Sequence, residues 1–196
     1  MGERKAALER KTSETDIALS LDLDGSGNCR VSTGVEFFDH MLILMARHAL
    51  FDLEVRAVGD TGIDAHHTVE DTGICLGKAL AEALGDKKGI VRYGHMLLPM
   101  DESLARVALD LSGRALLEWR AVMPAQKCGG FDTCLGKEFM RAFTSNAGIN
   151  MHVDLLAGDD PHHVLEAIFK GVGRALRMAV SLDVRERGIP SSKGVL

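Results

Sequence analysis

A mixed α+β fold, built by tandem duplication of a β-β-α-β-α unit, is the architecture this chain predicts. An internal repeat carries the prediction. His66-His67-Thr68-Val69-Glu70, followed by Gly77-Lys78-Ala79-Leu80 and Ala83, returns ninety-six positions later as His162-His163-Val164-Leu165-Glu166, Gly173-Arg174-Ala175-Leu176 and Ala179. Strands with period-two alternation precede it, and helix-patterned stretches separate them, in the same order both times.

Each element follows from local pattern. Ile17–Leu23 alternates as a strand, and Asp24-Gly25-Ser26-Gly27 reads as a tight hairpin turn into a second strand. Ala105–Leu111, Ser112-Gly113 and Ala115–Val122 play those parts in the second half. Helices are expected at Val35–Ala49 and Leu135–Ala147, strands at Leu53–Val58 and Ile149–Leu156, and long closing helices near 66–84 and 162–182. One half-repeat then spans 1–90 and the other 91–196, together forming one compact catalytic domain, because four prolines and no low-complexity tract leave little room for a linker.

Composition excludes several classes. Apolar residues make up 46% and charged residues 26%, a globular balance, and the net charge of −5 gives no global basic field for nucleic acid. The charged stretch Met1–Lys11 lacks the apolar core of a signal peptide, and no apolar run reaches the ~18–20 residues that span a bilayer. Cys29, Cys75, Cys128 and Cys134 form no Cys-x-x-Cys pair, so reduced thiols and a cytoplasmic location are expected.

The chemistry concentrates in the His-His-x-x-Glu pairs. On a helix, residues i and i+4 share a face while neighbours point about 100° apart. His66 therefore stacks with Glu70, with His67 and Glu70 as the i,i+3 alternative, and His162 likewise with Glu166, in donor sets that suit a borderline divalent ion. Adjacent histidines cannot readily converge on one ion, so each helix is expected to serve two metal centres around which the two helix starts meet. Solvated histidines at helix starts are the plainer reading, which recurrence at a constant offset counts against. His40, on an apolar helix, and His152, on an apolar strand, are each either a satisfied core histidine or a further ligand. With both included, six histidines and two glutamates supply four ligands to each of two ions, leaving His48 and His95 outside.

Arg92, Arg114 and the tail Ser191-Ser192-Lys193-Gly194 offer the fork, point charge and hydroxyl donors that hold phosphate, or else are solvated loop cations. Glu14, Asp60, Asp64, Asp101 and Glu102 read by pattern alone as surface or structural carboxylates.

Taken together, Phe37-Phe38-Asp39-His40-Met41-Leu42, Asp64 to Asp71, Pro99-Met100-Asp101-Glu102, Asp110-Leu111-Ser112-Gly113-Arg114, His162-His163 with Glu166, and Ser191 to Gly194 resemble the imidazoleglycerol-phosphate dehydratase family over nearly the whole chain. The resemblance implies a duplicated fold like the second domain of ribosomal protein S5 and two Mn²⁺ ions per active site. It implies a homo-oligomer of 24 subunits with sites at subunit interfaces. The activity implied is a hydro-lyase of histidine biosynthesis, which turns D-erythro-imidazoleglycerol phosphate into imidazole acetol phosphate through a metal-stabilised imidazolate and a diazafulvene-like intermediate.

Carried over by position, the metal ligands are His40, His66, His67, Glu70, His152, His162, His163 and Glu166. Glu14, His48, Glu70 and Glu166 take catalytic roles, Glu14 as the acid/base. Glu14, His40 and His48 contact substrate, and Arg92, Arg114, Ser191 and Lys193 hold its phosphate. Two departures stand out: Leu44 where the family has glutamine, and Gly158-Asp159-Asp160-Pro161 where it has Gly-x-Asn. A dinuclear phosphoester hydrolase and a metal-storage module are the alternatives. The first would release inorganic phosphate, and the second would tolerate loss of Arg92, Arg114 and Lys193.

Overall fold

The structure is a computed structural model that describes residues 3–196, so Met1 and Gly2 of the charged N-terminal stretch lie outside the described residues. Within it the chain runs β1 (Lys5–Lys11), β2 (Thr15–Asp22), β3 (Cys29–Ser32), α1 (Glu36–Ala49), β4 (Asp52–Gly59) and α2 (His66–Leu84). The pattern then repeats as β5 (Tyr93–Met100), β6 (Ser103–Asp110), β7 (Leu116–Arg120), a small hairpin β8 (Lys127–Cys128) and β9 (Phe131–Asp132), α3 (Cys134–Ala147), β10 (Asn150–Ala157) and α4 (Pro161–Val180). The sheets have matching orders, β1-β2-β4-β3 and β5-β6-β10-β7. The duplicated α+β fold is therefore as expected, with an extra opening strand in each unit, β1 and β5, and the β8–β9 hairpin added in the second. In the first unit that strand is the charged segment Lys5–Lys11, in which only Ala6 is buried.

A second difference concerns the turns. Asp24–Gly27 does not close a hairpin: β4 inserts between β2 and β3, pairing antiparallel with one and parallel with the other. The Asp52 carboxylate accepts from the backbone N–H of Ser26 and Asn28, both at 2.8 Å, and so wraps the loop around the start of β4. β7 likewise pairs parallel with β10. Turn residues signal a change of direction, but the partner strand is chosen by long-range packing.

Each sheet buries one face and exposes the other, as the alternation along β2 and β6 shows. The helices fill the space between the buried faces in a crossed arrangement, with α1 packed on α4 and α2 on α3. The repeated glycines explain that crossing. A Cβ on Gly77 would sit 2.6 Å from the Phe143 carbonyl oxygen of α3, and one on Gly173 would sit 2.3 Å from the Met45 carbonyl oxygen of α1. Only a bare backbone lets these helices approach so closely. Phe38, Phe139, Phe143 and Phe169, each essentially fully buried, meet at the centre, with Phe139 stacked 5.6 Å from Phe169.

Candidate metal and substrate site

His40, on the second turn of α1, and His162 and Glu166, on the first turns of α4, come together because α1 lies on α4. His40 Nε2 is 2.9 Å and His162 Nε2 3.2 Å from Glu166 Oε1. Lys170, one turn further along α4, donates to Glu166 Oε2. Burial opposes the charge on Glu166, but hydrogen bonds from Lys170, His40 and His162 outweigh it and hold the carboxyl at about 2. Two donors bound at ~2.1 Å to one ion, at tetrahedral or octahedral angles, sit roughly 3.0–3.4 Å apart. The distances to Glu166 are close to that range and all three donor atoms lie within 4.8 Å of one another, so the donor set of two imidazoles and a carboxylate suits a divalent cation. Edge-on contact with Phe37, at 5.2 Å between ring centroids, steadies the His162 ring.

Asp160-Pro161, one of the departures noted in the sequence, has a local purpose. Asp160 caps α4, its carboxylate accepting from His162 N–H at 2.7 Å and His163 N–H at 3.4 Å, and Pro161 occupies the first turn, where no N–H is needed. Leu44, the other departure, is half-buried and packs against the core.

The first-half motif is placed differently. His66 Nε2 lies 3.8 Å from Glu70, but Glu70 is paired at 2.8 Å with Arg141 of α3, which also binds Glu138. Glu138 is the fifth residue of α3, as His40 is of α1, so the repeat puts a carboxylate and an arginine where the other half has a histidine. Among the described residues, His40, His162 and Glu166 are the one group of three convergent donors, and α2 packs chiefly on α3 while α4 packs on α1. His152 points to the outer face of its sheet, 3.3 Å from Arg120. His48, two turns beyond His40, is held below its ordinary pKa by burial and then by Lys170, Arg174 and Arg47.

Glu14 occupies the β1–β2 turn, where the Thr12 hydroxyl accepts from its N–H at 3.1 Å and its carbonyl accepts from the Asp60 N–H. Its exposed carboxylate lies 3.9 Å from His67 Nε2. The Asp60 carboxylate takes His67 Nδ1 at 2.9 Å, and this bond raises the histidine pKa. The Glu102 carboxylate takes His163 Nδ1 at 2.7 Å, and this bond, with one from the Ser103 hydroxyl, holds Glu102 at about 2.

The phosphate candidates gather at another corner. Arg92 donates to both oxygens of Asp110, at 2.7 and 3.0 Å, and to the Pro190 carbonyl at 2.8 Å. That holds Ser191 beside it. The chain end then lies over the Ser112–Arg114 turn, where a Cβ on Gly113 would meet the Leu196 backbone at 3.1 Å. Arg114 and Lys193 are both exposed there. Arg92 N–H bonds the Ala179 carbonyl at the far end of α4 from His162, roughly 25 Å away at the α-helical rise.

Lys170, not singled out in the sequence, and Asp60 and Glu102, read there as surface or structural carboxylates, pair with the candidate ligands Glu166, His67 and His163. For Lys170 the i,i+4 Glu-to-Lys spacing was available as a signal. For the two carboxylates no local signal exists, since their histidines are distant in sequence or approached across a turn.

Comparison with known proteins settles the family. The profile of imidazoleglycerol-phosphate dehydratase matches residues 33–176. The chain is 60% identical over 196 residues to the imidazoleglycerol-phosphate dehydratase of Desulforamulus reducens, covering all of both chains, and 56% identical to that of Moorella thermoacetica, covering 98% of each. The crystal structure of the Staphylococcus aureus enzyme superposes with TM-score 0.84 at 41% identity, over 91% of this chain and 99% of that one. That of the Pyrococcus furiosus enzyme, in complex with (S)-C348, gives 0.83 at 34%, over 96% and 100%. The phosphoester-hydrolase alternative finds no support among these relatives. The chain belongs to the imidazoleglycerol-phosphate dehydratase family, and its reaction is the dehydration of imidazoleglycerol phosphate in histidine biosynthesis.

Proposed function

We propose that this dehydration takes place at a two-metal site, loaded with Mn²⁺, that is completed only when copies of the chain assemble. One observation carries the reading: the residues suited to bind metal and phosphate are complementary in chemistry yet roughly 25 Å apart, at opposite ends of α4. A substrate the size of a phosphorylated imidazole cannot bridge that span within one subunit.

Of the eight ligands, His40, His162 and Glu166 converge already; His66, His67 and Glu70, with His152 and His163, would complete the two shells from neighbouring copies. The ions would supply Lewis-acid stabilisation of a negatively charged imidazole ring. Glu14 is the acid/base: its backbone is pinned by the Thr12 hydroxyl while its carboxylate stays free beside His67. His48 lies along α1 from His40 and contacts the substrate, its pKa lowered by burial and by the neighbouring Lys170 and Arg174. Glu70 and Glu166 contribute to catalysis by holding the shells in register. Arg92, Arg114, Ser191 and Lys193 orient the phosphate, and with it the carbon that loses its proton.

Tyr93, Leu97 and Leu116 stand 44–55% exposed on the same sheet face as His152. Covering such a face with another copy supports a closed homo-oligomer, for which we take the family's 24 subunits. No helix among the described residues is long and apolar enough to cross a membrane; the free thiols Cys29, Cys75, Cys128 and Cys134 support a cytoplasmic location. We propose that the halves 1–90 and 91–196 act as one catalytic domain.

Size-exclusion chromatography with and without Mn²⁺, alongside metal analysis, tests the proposal. A large assembly retaining Mn²⁺ is expected. A monomer without bound divalent ion overturns it.

A further inference from the structure

The two halves present the second histidine of each pair in the same way but with different carboxylates. His163 has Glu102 on Nδ1 at 2.7 Å and Asp101 on the Nε2 side at 3.7 Å. His67 has Asp60 on Nδ1 at 2.9 Å and Glu14 on the Nε2 side at 3.9 Å. Glu14 and Glu102 occupy the same place in the repeat, the last residue before β2 and before β6. One turn carboxylate therefore grips Nδ1, while its counterpart stands off Nε2 because Asp60, its backbone-bonded neighbour at the exit of β4, has taken Nδ1 instead.

A carboxylate on Nδ1 can only accept, so that nitrogen carries the proton and the lone pair lies on Nε2. At 3.7–3.9 Å the second carboxylate is too far to hydrogen-bond that lone pair. Asp60 Oδ1 is buried without a hydrogen-bond partner among the described residues, so His67 is the group its side chain serves.

We infer that Asp60 and Glu102 are positioning residues for the metal-binding histidines, each fixing its imidazole with Nε2 presented outward, and that Asp60 releases Glu14 from this duty in the first half. The inference rests on the two-metal reading above and adds to it the division of labour between two turn carboxylates of common origin in the repeat. Carboxylates behind metal-bound imidazoles typically strengthen metal binding by ~10- to 100-fold.

The test strips the assembled protein with a chelator and titrates it with MnCl₂, following free Mn²⁺ by electron paramagnetic resonance. Affinity should fall severalfold in Asp60→Asn and Glu102→Gln, which keep a neutral acceptor, and further, by ~10- to 100-fold, in Asp60→Ala and Glu102→Ala. Should an alanine variant fail to fold by circular dichroism, the amide variant decides alone. At saturating Mn²⁺, kcat should fall further in Asp60→Ala than in Glu102→Ala, because Glu14 is then drawn to the freed Nδ1. Wild-type affinity in the amide and alanine variants overturns the positioning role, and an equal fall in kcat overturns the link to Glu14. Wild-type protein that takes up no Mn²⁺ overturns the two-metal reading itself, which distinguishes the two failures.

Discussion

Glu166 Oε1 lies 2.9 Å from His40 Nε2, joining α4 of the second half to α1 of the first across the axis of the duplication. The carboxylate is buried and its other oxygen is held by Lys170, so one side chain is shared by helix packing and the candidate metal cluster. Glu166→Gln keeps the shape and removes the charge. Metal-free protein should lose ~1–3 kcal/mol, the usual cost of an unsatisfied buried polar partner. At this chain length that is a fall of several degrees in Tm. Calorimetry and metal analysis together check it: Mn²⁺ content should drop as well. Unchanged metal content would remove Glu166 from the ligand set.

Glu14 offers a test that separates catalysis from metal binding. Its carboxylate is exposed and makes no hydrogen bond among the described residues, while its backbone is fixed by Thr12. Glu14→Gln should therefore lower kcat by ~10²- to 10⁴-fold, the range for a lost acid/base, with metal content near that of wild type. Equal losses of both would reassign Glu14 to the metal shell.

Arg92 spends its donors within the chain, on Asp110 and on the carbonyl before Ser191. The role expected of it is therefore to dock the Pro190–Lys193 segment, through which the proposed phosphate site is built. Arg92→Lys cannot reproduce the two-pronged pairing with Asp110. KM should rise by ~10-fold or more, one charge-assisted hydrogen bond's worth, and carboxypeptidase should trim the C-terminus faster than in wild type. A raised KM with an equally resistant tail would instead place Arg92 directly on the phosphate.

Legibility from sequence was uneven for identifiable reasons. The helices carrying His66, His162 and His40 declare themselves by period and by the glycines at their crossings, and their bounds fall within a few residues of expectation. β1 and β5 escape notice because edge strands bury little, so no apolar alternation marks them: Lys5–Lys11 shows one buried residue. The insertion of β4 beside β3 is likewise invisible, being a choice between strands distant in sequence. At the site, i,i+4 stacking of His162 on Glu166 is a local consequence of the helix and was readable. Its meeting with His40 depends on α1 crossing α4, and the corresponding partner of Glu70 proves to be Arg141 rather than a histidine. Local spacing proposes ligands, and tertiary packing decides which of them converge.

Asp160 offers a stability test that leaves every candidate ligand in place. It accepts from the first two histidine N–H groups of α4, and Asp160→Ala should cost ~1 kcal/mol, the usual value of a helix cap. Chemical denaturation of the metal-free protein measures this directly. Asp160→Asn, which keeps the acceptor, should recover most of it.

Asp154 governs a pH dependence whose sign is definite. It is buried on the outer sheet face between Arg120 at 2.5 Å and Arg106 at 3.1 Å. The Arg120 hydrogen bond, partly opposed by burial and aided by Arg106, holds its carboxyl below the ordinary carboxylate range. A group depressed on folding binds more protons when unfolded, so its contribution is fully present above the unfolded value near ~4 and is lost as pH falls through the lower folded value. The metal-free protein should therefore lose stability on acidification below about pH 4, and Asp154→Asn should remove part of that loss while lowering stability at neutral pH. Urea midpoints measured from pH 7 down to pH 3 give the comparison. Parallel curves for the two proteins would mean that Asp154 and its arginines are as well paired unfolded as folded, and that the outer-face network contributes nothing to holding His152 in its strand.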